Sequence, residues 1–200
     1  RSNRGRSPIL ISIDGISRAL LEVGDRIKGD SAAAVRSLEE LGFETILVTG
    51  DSEPAAAYIA KEAGIKKFKA QVHPEDKVTV VKEFHNQGRE VIMIGDGVND
   101  AAALASADVS MAMGTGTDSA IAVADITLIR SSLSAAVDSI RLSRRTLRTI
   151  KQNLGWAFVY NIIGIPLAAT GNLNPMYAGA AMALSSLLVV TNSLRLRNFQ

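Results

Sequence analysis

Over the first two thirds of the chain, short apolar runs alternate with amphipathic stretches; long uncharged runs take over in the last third. Ile9–Ile13 reads as a strand that ends at Asp14-Gly15, a strong hairpin signal, and Ala19–Val23 as its return. Asp30 is placed to cap a helix running to Leu41, with Gly42 just past its end. Thr45–Val48 is a short, mostly β-branched run suited to a strand buried on both faces. Pro54 opens a helix through Ala63 that stops at Gly64, and a further helix starts at Pro74 and ends before Gly88. Val91–Ile94 predicts a strand, Gly95–Asp100 a loop and the following alanines a short helix, with more strands at Val109–Met113 and Ile126–Ile129. Strand and helix in this alternation mean crossover units and a mostly parallel sheet, whose ligands bind beyond the carboxyl ends of the strands. Thr49-Gly50-Asp51 and Gly95-Asp96-Gly97-Val98-Asn99-Asp100 fall at those ends.

After Leu133 the pattern changes. An Arg-rich helix (Arg141, Arg144, Arg145, Arg148, Lys151) leads into Asn153–Thr170, 18 residues without a charge. At 1.5 Å per residue these reach about 27 Å, close to the hydrocarbon thickness of a bilayer. A turn at Gly171–Asn174 precedes a second uncharged stretch of 20 residues, Pro175–Leu194, which Arg195 and Arg197 close. All 20 acidic residues lie at or before Asp138, so the tail is basic and otherwise apolar. Such asymmetry points to nucleic acid or membrane, and the apolar runs favour the bilayer and exclude nucleic acid as the expected partner. Basic flanks at both outer ends predict a hairpin that enters from the cytoplasm and returns there, with Trp156 and Tyr177 as interfacial anchors. The alternative is a buried pair of soluble helices. The absence of cysteine excludes disulfides and thiolate metal sites within these 200 residues. A chain that opens on Arg1 with no signal peptide reads as a piece of a longer protein.

The chemistry concentrates in the loop after the strand at Val91. Two carboxylates four residues apart, Asp96 and Asp100, on a Gly-rich loop opening a helix, make a hard oxygen site suited to Mg²⁺, and the glycines let backbone approach a phosphoryl group. Thr49-Gly50-Asp51 can donate hydrogen bonds to phosphoryl oxygens, although alone it reads first as a strand-to-helix turn. Lys77, in the first turn of its helix, can neutralise phosphate charge, although alone it reads as a surface lysine. His73 and His85 are assigned no role.

Together Thr49, Lys77, Asp96 and Asp100 resemble three of the four loops of the haloacid-dehalogenase-like phosphotransfer fold, in the order found in P-type ATPases. Asp25-Arg26-Ile27-Lys28, Ala112–Asp118 and Ala124–Leu128 extend the resemblance, which covers about Ile9 to Leu196. Gly114–Thr117 lacks the Lys of a Walker motif and is not read as a P-loop. The resemblance implies an α/β, Rossmann-like parallel-sheet domain followed by a transmembrane α-helical hairpin. It divides the chain into the end of a nucleotide-binding domain (1–23), the C-terminal part of a phosphorylation domain (24–138), and a basic linker helix with two spans (139–200, the spans at about 153–170 and 175–194).

The implied mechanism passes the γ-phosphoryl of ATP to an aspartate with Mg²⁺ bridging the oxygens, then hydrolyses the aspartyl phosphate. Asp96 and Asp100 would hold the metal and Asn99 would fix the loop. Thr49, Gly50 and Asp51 would bind the phosphoryl group, and Lys77 would offset its charge. The family's acceptor, in an Asp-Lys-Thr-Gly-Thr segment, is absent from this chain, as is its actuator Thr-Gly-Glu loop. By itself this polypeptide is expected not to turn over ATP. The implied partners are the rest of the same ATPase (actuator, nucleotide-binding domain, other spans) and the membrane, with a copper chaperone as a further candidate. The implied location is a cell or inner membrane, multi-pass, with the phosphorylation domain in the cytoplasm.

The hairpin carries its own evidence about the cargo. Tyr160 and Asn161 on the first span, and Met182 and Ser186 on the second, fall roughly 11–17 Å from the turn, at mid-membrane depth, where polar groups are costly and usually functional. Pro166 also deprives the Ile162 carbonyl of its donor beside Asn161. No carboxylate occurs in 139–200, whereas a hard divalent ion would want several. A thioether with neutral oxygens suits Cu(I), or Ag(I). Tyr160-Asn161 followed by Met182-Ala183-Leu184-Ser185-Ser186 resembles the copper-type heavy-metal ATPases; zinc-type relatives carry a lysine and an aspartate in these spans instead. Two other readings remain: a membrane-tethered phosphatase of the same fold, and a non-catalytic or regulatory remnant of it.

Overall fold

A computed structural model describes residues 7–23, 27–96, 98–171 and 174–198. The expected features at Asp25, Arg26, Gly97, Asn172 and Leu173, and the side chains of Val98 and Tyr177, lie outside the described residues. The chain forms two compact units, Arg1–Val137 and Asp138–Gln200.

The first unit opens with an antiparallel hairpin, β1 (Ser7–Ile13) and β2 (Ile16–Val23), turned at Asp14, whose φ of 52° is the left-handed conformation such tight turns demand. Then follow α1 (Ser31–Glu40), β3 (Ile46–Val48), α2 (Glu53–Ala63), β4 (Lys67–Lys69), α3 (Pro74–Asn86) and β5 (Ile92–Gly95). After a 3₁₀ turn at Val98–Asp100 come α4 (Ala101–Ser106), β6 (Val109–Met113), α5 (Asp118–Val123) and β7 (Ile126–Leu128). All pairings from β3 onward are parallel, but they form two sheets, β3-β4 and β5-β6-β7. Helices cover them closely because their inner faces are small: α2 buries Ala56, Ala60 and Ala63, spaced to share one stripe. Leu104 and Ala112 are fully buried with Ala120, and Met93, Ile121 and Ala124 pack against them.

Asp30 does not cap α1: its side chain makes no bond to that helix. Instead its carboxylate reaches across the unit to the start of the long helix α6 (Leu133–Ala169). It accepts bonds from the hydroxyl of Ser132 and from Ser134 Oγ at 2.6 Å, and lies 3.4 Å from Ser134 N. There the carboxylate meets the unsatisfied N–H groups and positive dipole end of α6 together with two serine hydroxyls. Beside it Lys28 Nζ donates to the Ser131 carbonyl at 2.5 Å. The two serine hydroxyls hold the Asp30 carboxyl down at about pKa 2, against an ordinary 3.8. A depressed carboxylate stabilises the fold above its unfolded pKa and stops doing so as pH falls through the folded value. Asp30→Asn is therefore expected to cost about 1 kcal/mol at neutral pH, after allowance for solvent screening. Chemical denaturation should show the deficit shrinking below pH 4 and vanishing near pH 2.

In the second unit, the later part of α6 and α7 (Pro175–Leu194) form an antiparallel hairpin. Its half-buried positions are Asn153, Ala157, Tyr160 and Gly164 on α6, and Ala178, Ala181, Ser185, Val189 and Asn192 on α7. Spacings of three and four define one narrow seam on each helix, lined mostly by small residues. Ile162 (68 %), Ile165 (67 %) and Leu187 (64 %) face outward. The exterior of the pair is apolar, and small residues predominate along the seam. Among the described residues one stretch, Ala178–Arg197 with mean hydropathy 1.3, is by itself long and apolar enough to cross a membrane. Trp156 is 63 % exposed near the basic end of the hairpin.

Candidate phosphotransfer and ion site

The candidates of two loops sit where parallel strands end, and Lys77 reaches the second of them from a helix. β3 delivers Thr49-Gly50-Asp51, and this loop is zipped to the chain leaving β4: Thr49 N donates to the Lys69 carbonyl (3.0 Å), Gln71 N to that of Asp51 (2.9 Å) and Val72 N to that of Thr49 (3.0 Å). Thr49 Oγ1 donates to Asp51 Oδ2 at 2.9 Å and accepts from Asp51 N at 3.1 Å, so the hydroxyl is pre-oriented at the strand mouth. Gln71 is held at φ 54°, and next to it an open hollow of about 480 Å³ is lined by Lys69, Val72, Asp76, Thr79 and Glu83.

Two residues past that zipped segment α3 begins, with Pro74 in its first turn. Its first turn aims Lys77 across to the next loop, where Nζ donates to Asp100 Oδ1 at 2.5 Å. Only 15 % of the lysine and 11 % of the aspartate side chain remain exposed. At that burial each charge depends on the other. Asp96 and Asn99, by contrast, are exposed. The loop is packed without slack. A Cβ on Gly95 would stand 2.8 Å from Asp100 Oδ2. One on Gly116 would stand 2.7 Å from the Met113 carbonyl and 2.8 Å from that of Asp96, so the Gly114–Thr117 segment acts as a backbone wall behind Asp96. Thr115 Oγ1 and Ser131 Oγ, 2.6 Å apart, tie that wall to the residues before α6.

A hard, small cation fits this donor set: one exposed and one buried carboxylate, four positions apart, against a glycine that leaves room for nothing larger than hydrogen. Among the described residues no three His, Cys, Asp or Glu side chains converge, so the remaining ligands of a six-coordinate Mg²⁺ would be water and phosphoryl oxygens.

The four hairpin residues are placed differently from one another. Tyr160 lies in the seam, and its hydroxyl donates to the Ala178 carbonyl at 3.1 Å. Asn161 uses its amide nitrogen on the Ala157 carbonyl of its own helix (3.0 Å), leaving Oδ1 as the atom with which it can meet a cation. Met182 is 66 % exposed and Ser186 is also exposed. Asn161, Met182 and Ser186 each stand one position after a seam residue (Tyr160, Ala181, Ser185). In an antiparallel pair that step turns both helices toward the same flank, so the three share one open side of the hairpin. The seam itself ends in a polar network missed by sequence reasoning, at Gln152, Asn153, Asn192 and Ser193. The single signal for it was polar residues bordering both uncharged stretches at their basic ends.

Residues 4–108 match the haloacid dehalogenase-like hydrolase family. Over 193 residues, 96 % of the chain, the sequence is 53 % identical to a copper-exporting P-type ATPase of Bacillus subtilis (strain 168), of which it covers 24 %. It is 50 % identical over 196 residues to a copper-exporting P-type ATPase of Mycobacterium leprae (strain TN), covering 98 % of this chain and 25 % of that protein. The crystal structure of a zinc-transporting PIB-type ATPase in an E2·Pi state superposes with a TM-score of 0.85 at 35 % identity, over 98 % of this chain and 32 % of that one. The chain thus spans about a quarter of the length of the curated relatives it matches. It belongs to the haloacid dehalogenase-like hydrolase family, and over nearly its whole length it is similar to heavy-metal P-type ATPases.

Proposed function

We propose that this chain is the C-terminal part of an ATP-driven exporter of Cu(I), or Ag(I): most of the phosphorylation domain and the last two spans. The observation that carries the reading is the buried Lys77–Asp100 pair beside the exposed Asp96 at the mouth of parallel strands. A lysine fixed there presents a cation to a phosphoryl group, and Asp96 with Asp100 would hold Mg²⁺, which neutralises charge on the oxygens in transfer. The Gly50 amide offers a hydrogen bond to the same group, the Thr49 hydroxyl and Asp51 amide would bind it by exchanging the bonds they now make with each other's residue, and Asn99 steadies the loop. Among the described residues β3 and β5 each pair on one side only. One parallel strand added between them, carrying the acceptor aspartate, would end between Thr49 and Asp96.

The cargo follows from the open flank of the hairpin, which offers sulfur and uncharged oxygen and no carboxylate, and from the copper-exporting relatives at 50–53 % identity. The remaining partners are the actuator and nucleotide-binding domains, the other spans and the bilayer, in a multi-pass arrangement with the phosphorylation domain cytoplasmic; a copper chaperone would deliver the ion. The test is ATP turnover by the full-length protein in vesicles, titrated with Cu(I), Ag(I) and Zn(II). Stimulation by Cu(I) or Ag(I) but not Zn(II) is expected. Stimulation by Zn(II) alone overturns the cargo, and absence of a hydroxylamine-labile phosphoenzyme overturns the pump.

A further inference from the structure

We infer that the polar network at the basic end of the hairpin is a register clasp, a set of positioning residues that fixes how far α6 and α7 slide along each other. Asn153 Nδ2 donates to Ser193 Oγ at 3.0 Å, while Asn192 Nδ2 donates to Asn153 Oδ1 at 2.9 Å and to Gln152 Oε1 at 3.4 Å. This role rests on the transport reading above, because what the register sets is the relative depth of the donors assigned to the ion.

The seam beyond the clasp cannot select a register by itself. Its residues are mostly small, and in lipid no hydrophobic gain opposes sliding of two apolar helices. The other tie across the seam, Tyr160 to the Ala178 carbonyl, is to backbone, and every residue of α7 offers a carbonyl. Side-chain amides at single positions are selective in a way that carbonyls are not.

Measured from the clasp at about 1.5 Å per residue, Asn161 lies about 12 Å from Asn153. On the other helix Ser186 lies about 9 Å, and Met182 about 15 Å, from Asn192. The clasped register therefore brackets the Asn161 oxygen between the hydroxyl and the thioether, all three on one flank. A slip of one turn, about 5.4 Å, would carry Asn161 beyond one of them. A coordination sphere cannot absorb that error.

The experiment uses the full-length protein in vesicles and reads ATP turnover against free Cu(I) and, separately, against ATP. Asn192→Leu is expected to raise the Cu(I) concentration for half-maximal stimulation about tenfold while leaving the KM for ATP unchanged. Asn153→Ser should move it the same way. Asn153→Ser combined with Ser193→Asn re-forms the amide-to-hydroxyl bond in the opposite direction but not the bond from Asn192 to Asn153, so it should rescue part of the Asn153→Ser loss, about threefold. An unshifted Cu(I) response in Asn192→Leu, an equal change in both KM values, or failure of the reciprocal pair to rescue overturns the clasp while leaving the transport reading intact. A wild-type protein that ignores Cu(I) overturns the transport reading first, and the clasp with it.

Discussion

Asp96→Asn in the full-length protein is expected to suppress the phosphoenzyme formed from ATP roughly a thousandfold, several kcal/mol of lost charge stabilisation, without weakening the fold. Asp96 is exposed at the end of β5, so the isosteric amide removes a charge while leaving no cavity and no stranded partner. A hard ion discriminates sharply between a carboxylate and an amide oxygen, and the charge lost is the one proposed to hold the metal. Asp100→Asn would behave differently. Its carboxylate balances Lys77 with both side chains largely buried, so the substitution leaves an uncompensated ammonium. It should cost on the order of 3 kcal/mol of stability as well as activity. Acid-quenched labelling from γ-phosphate-labelled ATP, run beside thermal unfolding, separates the two cases. Normal phosphoenzyme in Asp96→Asn would remove the residue from the metal site.

The contrast between those two aspartates marks how far the sequence could be read. That both stand on one loop after a strand was legible, because an apolar run, glycines and a following helix are local signals. That Asp100 is bound to Lys77 was not, since the partner is 23 residues away on another helix. The same holds for Asp30, whose position before an alanine-rich run suggested a local cap but whose charge serves a helix that starts about a hundred residues later. β4 escaped notice for a different reason. Lys67-Phe68-Lys69 is an edge strand, and lysines on an edge both blur the apolar signal and protect the strand from stray pairing. Here the lysines are engaged: Lys67 joins Arg89 on Glu44, and Lys69 meets Glu83. Those two cations hold the Glu44 carboxyl below the usual carboxylate range. His85, given no role in the sequence, pairs with Asp108 at 2.8 Å; the bond from Val91 N, and after it this pairing, pull that carboxyl down as well. In the hairpin the uncharged lengths and basic flanks were plain, but the division between seam and open flank emerges only when both helices are seen together.

That division makes Met182→Leu the sharpest probe of the cargo. Leucine nearly matches methionine in volume, and at 66 % exposure the position makes few contacts, so the change in stability should be well under 1 kcal/mol. What disappears is the thioether, the soft ligand proposed at mid-depth on the flank shared with Asn161 and Ser186, which neutral oxygens cannot replace for a soft monovalent ion. Cu(I)-stimulated ATP turnover in the full-length protein is expected to fall at least about tenfold, with basal turnover and melting temperature unchanged. Met176 supplies the control: it has the same chemistry and 75 % exposure but stands one residue past Pro175, at the turn end of α7, far from the depth of Asn161. Met176→Leu should therefore leave the Cu(I) response at wild-type level. If both variants, or neither, lose the response, sulfur at position 182 is not what the ion meets.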